Sequence, residues 1–241
     1  MGYLYLGHYG YGLMYFDWTY LLVLAGVLLS VGASLLVNST YATYKKVRSA
    51  SGYTAAQAAE QILRQAGIYD VRIQPIAGDL TDNYNPREKT LNLSESVYNS
   101  TSVAAIGVAA HECGHAIQHA RSYVFLGMRS AMVPAVNICS GISWPVILVG
   151  LLLGRNSFLI MLGILLFAVA VLFSLVTLPV EFNASRRALK ILSSSHILGD
   201  REVSQAGRVL TAAALTYVAA AASMILQLLR LIILFGGNRR D

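Results

Sequence analysis

The segment His111-Glu112-Cys113-Gly114-His115 sets two imidazoles four residues apart with a carboxylate between them. On a helix, positions i and i+4 lie on one face, about one turn apart. Both rings can then reach one tetrahedral zinc ion, while Glu112 faces the water that would attack a substrate. A carboxylate so placed can take a proton from that water and pass it to a leaving amine. With 5 His and 6 Glu in 241 residues, chance expects roughly 0.0025 such patterns in the chain. The spacing marks a metal site, not a packing accident.

A catalytic zinc takes a third protein ligand and keeps a fourth position open. Position 121 is Arg, which removes the third His of the metzincin pattern. His119 follows His115 by another turn, about 6 Å farther along a continuous helix, so it reads as an outer or solvent-facing residue. The acids downstream are Glu181, Asp200, Glu202 and Asp241. Glu181 stands out because it follows Pro179 at the end of an apolar stretch and opens the helical-looking run EFNASRRALKIL.

The elements that must carry these residues are set by composition. Hydrophobic residues make up 56% of the chain and charged residues 12%, about half the charged share of a water-soluble domain. Disorder and a disulfide scaffold are excluded by the same figures and by the two cysteines, Cys113 and Cys139. The chain reads as an integral membrane protein. Its net charge of +6 comes from basic residues scattered among apolar runs, with no patch or motif for nucleic acid.

Four stretches reach the length that crosses a bilayer. They are 18–37, 131–153, 157–179 and 209–235, the second interrupted by Pro134, Asn137 and Pro145 and the fourth holding Arg230. Residues 154–156 leave room only for a tight hairpin between the second and third. Lys45, Lys46, Arg48, Arg64, Arg72, Arg87, Lys89, Arg121 and Arg129 fall between the first and second spans, and Arg186, Arg187, Lys190, Arg201 and Arg208 between the third and fourth. Arg155, Arg230, Arg239 and Arg240 fall on the other side. Fourteen against four places both large connections in the cytoplasm. The hairpin then returns Glu181 to the side that holds His111 and His115.

Between the first two spans the composition turns soluble. Residues 53–67 read as a helix with Thr54 as its N-cap and Gly67 as its stop. Residues 69–76 and 89–93 alternate like strands, 79–87 (DLTDNYNPR) read as a loop, and 102–121 as a long helix. The expected fold is a mainly α integral membrane protein of about four transmembrane helices with a small α+β zincin-like catalytic domain. The expected divisions are a tyrosine-rich tail (1–17), the first span (18–37), a catalytic segment (38–130) and a membrane hairpin (131–179). A second catalytic segment (180–208), the last span (209–235) and a tail (236–241) complete the chain. The tail tyrosines, Tyr3 to Tyr15 among glycines, suit a membrane-interface belt.

HECGH, a membrane hairpin and a returning EFNAS resemble the gluzincin pattern of HExxH followed by ExxxD. The segments NYNPREKTLNLS, VAAHECGHAIQHA, LPVEFNASRRAL and VLTAAALTYVAA extend the likeness over nearly the whole chain. It is similar to the neutral zinc metallopeptidases of bacterial membranes, the YugP-like family, and more distantly to the CAAX prenyl and HtpX-like membrane proteases. The resemblance implies a bacterial cell-membrane protein with Zn2+ as cofactor, His111, His115 and Glu181 as ligands and Glu112 as general base. It departs at Ser185, where the pattern has the Asp that orients the first His; Ser185 or Asn183 is left for that role.

Peptide hydrolysis also needs a group that stabilises the oxyanion. Tyr217, His196 and Arg186 are the available types, and Tyr217 ranks first because its hydroxyl lies in an apolar run and needs a partner. Thr90, Leu91, Asn92 and Leu93 form a strand that either receives an extended peptide along its edge, as zincins do, or sits inside the sheet. Cys113 and Cys139 are not expected to pair. The expected function is peptide-bond hydrolysis by zinc-activated water at the cytoplasmic membrane face, on protein or peptide substrates that include membrane proteins. The alternative is a scaffold or transport element with a structural zinc. Glu112 separates the two, because a closed structural site has no use for it, and spans nearly free of ionisable residues disfavour transport.

Overall fold

The structure, a computed structural model, describes residues 17–236. The tyrosine belt expected before Asp17 and the tail residues Arg239 and Arg240 lie outside the described residues.

Four helices are long and apolar enough to cross a membrane: α1 (Tyr20–Tyr44), α5 (Val124–Leu152), α6 (Ser157–Ser194) and α7 (Asp200–Phe235). Between α1 and α5 come α2 (Ala55–Gln65), β1 (Arg72–Ile76), β2 (Asn83–Asn85), β3 (Thr90–Ser94), α3 (Glu95–Tyr98) and α4 (Val103–Ala120). Each membrane helix is longer than its apolar stretch. At about 1.5 Å per residue, the 38 residues of α6 measure some 57 Å against a hydrocarbon core of about 30 Å. The excess runs straight into the soluble layer.

Glu181 therefore does not open a new helix. Pro179 lies inside α6, and the turns after it continue because Val180, Ala184, Ala188 and Leu192 are all buried. Packing on that stripe outweighs the hydrogen bond that proline removes. Likewise α5 passes through Pro134 and Pro145 without breaking, held against α6 where Gly150 meets the backbone of Ile160. Their connection is the expected tight hairpin. Gly154 and Arg155 take positive φ, and Asn156 Oδ1 caps α6 by accepting from the Leu159 N–H at 3.2 Å.

The soluble layer is built around α4. The cap of α2 is as expected: Thr54 accepts from Gln57 N–H, and the Gln57 side chain accepts from Thr54 N–H. Ser102 caps α4 through the Ala105 N–H. Helix α2, the sheet, α4 and the protruding ends of α6 and α7 share one core that includes Ile62, Leu91, Leu93, Ile106, Cys113, Leu192 and Leu210.

The sheet corrects two expectations. Its order is β1-β3-β2, with β1 parallel and β2 antiparallel to β3. Asn83–Asn85, expected as loop, is a strand that pairs with β3, and the Asn83 side chain is a cross-strand partner. Gln74 Nε2 donates to Asn92 Oδ1 at 2.8 Å, and Asn92 Nδ2 donates to Asn83 Oδ1 at 2.9 Å. Thr90, Leu91, Asn92 and Leu93 thus lie in the interior strand, with a neighbour on each side. That strand has no free edge for a peptide to join, and its apparent alternation conceals burial on both faces. The sheet edges are β1 and β2.

Helix α4 meets α6 most closely at Gly114, where a Cβ would stand 2.6 Å from the Ala184 carbonyl oxygen. Any side chain there must push the two helix backbones away from each other. Gly114→Ala should lower the thermal midpoint of the purified protein, at a cost on the order of 1–3 kcal/mol. Gly32→Ala, whose Cβ would meet open space, should not. Equal melts for the two would mean that the helices have slack at this point.

Candidate metal centre

The α4–α6 contact brings three side chains to one point. His111 Nε2 lies 3.2 Å and His115 Nε2 3.5 Å from Glu181 Oε2, and one donor atom from each residue lies within 4.8 Å of the others. Ligand atoms about 2.0–2.1 Å from a tetrahedral zinc stand roughly 3.3 Å apart. The observed separations are edges of such a tetrahedron.

The surroundings fix which nitrogens face this point. His115 Nδ1 is 3.0 Å from Gln118 Oε1. Gln118 Nε2 donates to the Val180 carbonyl at 2.8 Å, so the amide oxygen must be the atom that faces the imidazole. Nδ1 of His115 is therefore the protonated nitrogen, and Nε2 presents a lone pair inward. His111 Nδ1 is 3.1 Å from Ser185 Oγ, which leaves its Nε2 for the same centre. Two ring lone pairs and a carboxylate converging at these distances call for a cation, and the N,N,O set suits zinc.

Glu181 itself is 2% exposed, a costly place for an unpaired carboxylate. Its second oxygen, Oε1, is paired with Arg129 Nη1 of α5 at 3.3 Å. Tyr217 of α7 is exposed, not buried as its apolar run implies, and its hydroxyl lies in the field of the Glu181 carboxylate. Glu112, between the two histidines on α4, is buried.

Ser185 stands where the first histidine needs a partner, while Asn183 serves elsewhere. Its Oδ1 accepts from Gln118 Nε2 at 3.0 Å and from Arg187 Nε at 2.7 Å, on the His115 side. Gln118 is not among the residues that the sequence singles out, although its i+3 spacing from His115 places it one turn away on the same face. Arg129 is the other omission, legible in the sequence only as a charge that orients the spans. His119 is outside the centre, as its distance along the helix implies, with Nδ1 2.8 Å from the Tyr84 hydroxyl. Arg186 and His196 are exposed. Cys113 is buried toward α2, its thiol on the Ala59 carbonyl, and burial pushes that thiol up. Both cysteines are free.

A family profile described as "Putative neutral zinc metallopeptidase" matches residues 19–236. The chain is also similar to the "Putative membrane protease YugP" of Bacillus subtilis (strain 168), with 46% identity over 220 residues, covering 91% of this chain and 97% of that protein. No solved structure matches.

Gln118 fixes His115 without touching the ligand point, so its loss should be felt in the metal. Gln118→Leu should weaken zinc binding about 10–100-fold in competition with a chelator, the usual range for such outer partners. His119→Phe should leave affinity unchanged. The reverse order would move the orienting role to His119.

Proposed function

This chain belongs to the neutral zinc metallopeptidase family, and we propose that it works as an endopeptidase cutting extended protein segments at the cytoplasmic face of the bacterial membrane. The zinc-dependent metallopeptidase class follows from the family and from the His111, His115 and Glu181 cluster. The multi-pass membrane setting follows from the four long apolar helices. The observation that carries the proposal is that cluster's geometry, with Glu112 between the two histidines. Among the described residues three donors converge, not four, the count of an open, catalytic site.

His111, His115 and Glu181 would hold the ion. A bound zinc ion supplies Lewis acidity that polarises the scissile carbonyl and acidifies water. Glu112 takes the proton of the attacking water on its carboxylate and delivers it to the departing amide nitrogen. Ser185 and Gln118 keep the two rings in place, and Asn183 holds Gln118. Arg129 keeps Glu181 from turning its second oxygen inward. Tyr217, on α7 where that helix packs against α4 and α6, is the proposed hydroxyl donor to the oxyanion.

The site's level supports substrates that lie near the bilayer. Glu181 follows the apolar run of α6 by two residues, so a segment reaching it must come close to the membrane surface. Loops of membrane proteins meet that requirement when unfolded. The interior strand β3 cannot receive them; β1 or β2 offers an edge.

Two measurements test this reading. Glu112→Gln should keep one zinc per chain and lose peptide hydrolysis by at least about 10²–10⁴-fold, whereas Glu181→Ala should lose the zinc. Turnover at the wild-type rate by Glu112→Gln would remove it as the base. For orientation, single cysteines at Asp79 and at the hairpin residue Arg155, with Cys113 and Cys139 replaced by Ser, can be probed on intact cells. An impermeant thiol reagent should label Arg155→Cys and reach Asp79→Cys only after lysis. Labelling of the Asp79 site in intact cells would turn the centre outward.

A further inference from the structure

Helices α1 and α7 run antiparallel and meet tightly at one end. At Gly26 a Cβ would lie 3.2 Å from Ser223, and Ser30 and Ser223 share a 3.0 Å hydrogen bond. At the other end Arg208 Nη1 donates to the Tyr44 hydroxyl at 3.1 Å. A groove of about 570 Å³ opens between them. It lies away from the metal centre, which is formed by α4 and α6.

The groove is graded along its length. The register set by Gly26–Ser223 and Tyr44–Arg208 brings Leu36 level with Leu215 at its apolar end. Thr40 and Thr211 line its middle, and Arg208 with Tyr44 closes its rim. The apolar run of α1 gives way to Asn38 within this stretch, so the groove straddles the depth where hydrocarbon meets headgroups. Lys45 and Lys46 follow directly after Tyr44, both exposed.

We propose that this groove binds one anionic glycerophospholipid. Its acyl chain would lie along Leu36 and Leu215, its ester region against the two threonine hydroxyls, and its phosphate on Arg208. A guanidinium has five donors in a planar fork; one is given to Tyr44, and the others suit phosphate oxygens. The positive rim selects a headgroup with net negative charge over a zwitterionic one.

The full-length protein, purified in detergent, would be titrated with phosphatidylglycerol, phosphatidylcholine or inorganic phosphate and read by native mass spectrometry. One phosphatidylglycerol per chain should survive, with phosphatidylcholine held about tenfold more weakly and Arg208→Gln losing about tenfold in phosphatidylglycerol retention. Thr211→Phe should fill the groove and abolish retention, and unchanged zinc occupancy in both variants would report an intact fold. Arg208 is exposed, so that variant carries the test if Thr211→Phe fails to fold. Equal retention of the two lipids, or of phosphatidylglycerol by Arg208→Gln and wild type, would overturn the proposal. So would displacement of the lipid by inorganic phosphate, or a second copy or a peptide found in its place.

Discussion

The contact on which the site depends is the approach of Gly114 to Ala184. The donors are divided between two helices, His111 and His115 on α4 and Glu181 on α6. They reach tetrahedral spacing only because the backbones come within a distance that no side chain at 114 would allow. Gly114 lies between the residues it serves, three after His111 and one before His115. Ala184 lies between Glu181 and Ser185. Gly107, two turns earlier on the same face of α4, meets Ala206 of α7, whose Cβ would stand 3.2 Å from a Cβ at 107. Helix α4 is thus seated against two membrane helices by its small residues, and the larger side chains between them point to the metal or to the core.

Charge imposes the second constraint. A buried carboxylate between two imidazoles is stable only if every lone pair has an assignment. Here Oε2 of Glu181 faces the rings and Oε1 faces Arg129, each from a different helix. The membrane helices consequently build the site as well as anchor it: α5 brings Arg129, and α6 brings Glu181 and Ser185. An unbroken α6 makes this possible, since a kink at Pro179 would turn Glu181 away from α4.

Much of this was legible in the sequence, and for physical reasons. HECGH carries its geometry in its spacing, because a helix fixes where i and i+4 point. Membrane spans are legible because the bilayer demands length and apolarity together. Glu181 could be found because a two-pass hairpin must return to the side it left. What could not be read depended on long-range contacts. The roles of Gln118 and Arg129 follow from how α4, α5 and α6 pack, and only the i+3 spacing of Gln118 from His115 is a local sign of either. Asn83–Asn85 has the composition of a turn and becomes a strand by pairing with β3, where Asn92 meets the Asn83 amide. Alternation in Thr90–Leu93 suggests an exposed face, but both faces are covered. Hydropathy sets the ends of α1, α5, α6 and α7 too near the bilayer, since it marks where lipid stops and not where a helix does.

Two imidazoles and one carboxylate make a ligand set for a single zinc with a position left open. X-ray absorption at the zinc edge of the purified, zinc-loaded protein reads that ligand set directly. It should show only nitrogen and oxygen neighbours at about 2.0–2.1 Å, with the outer-shell scattering of two imidazoles. A sulfur neighbour near 2.3 Å, or scattering from three or more imidazoles, would contradict it.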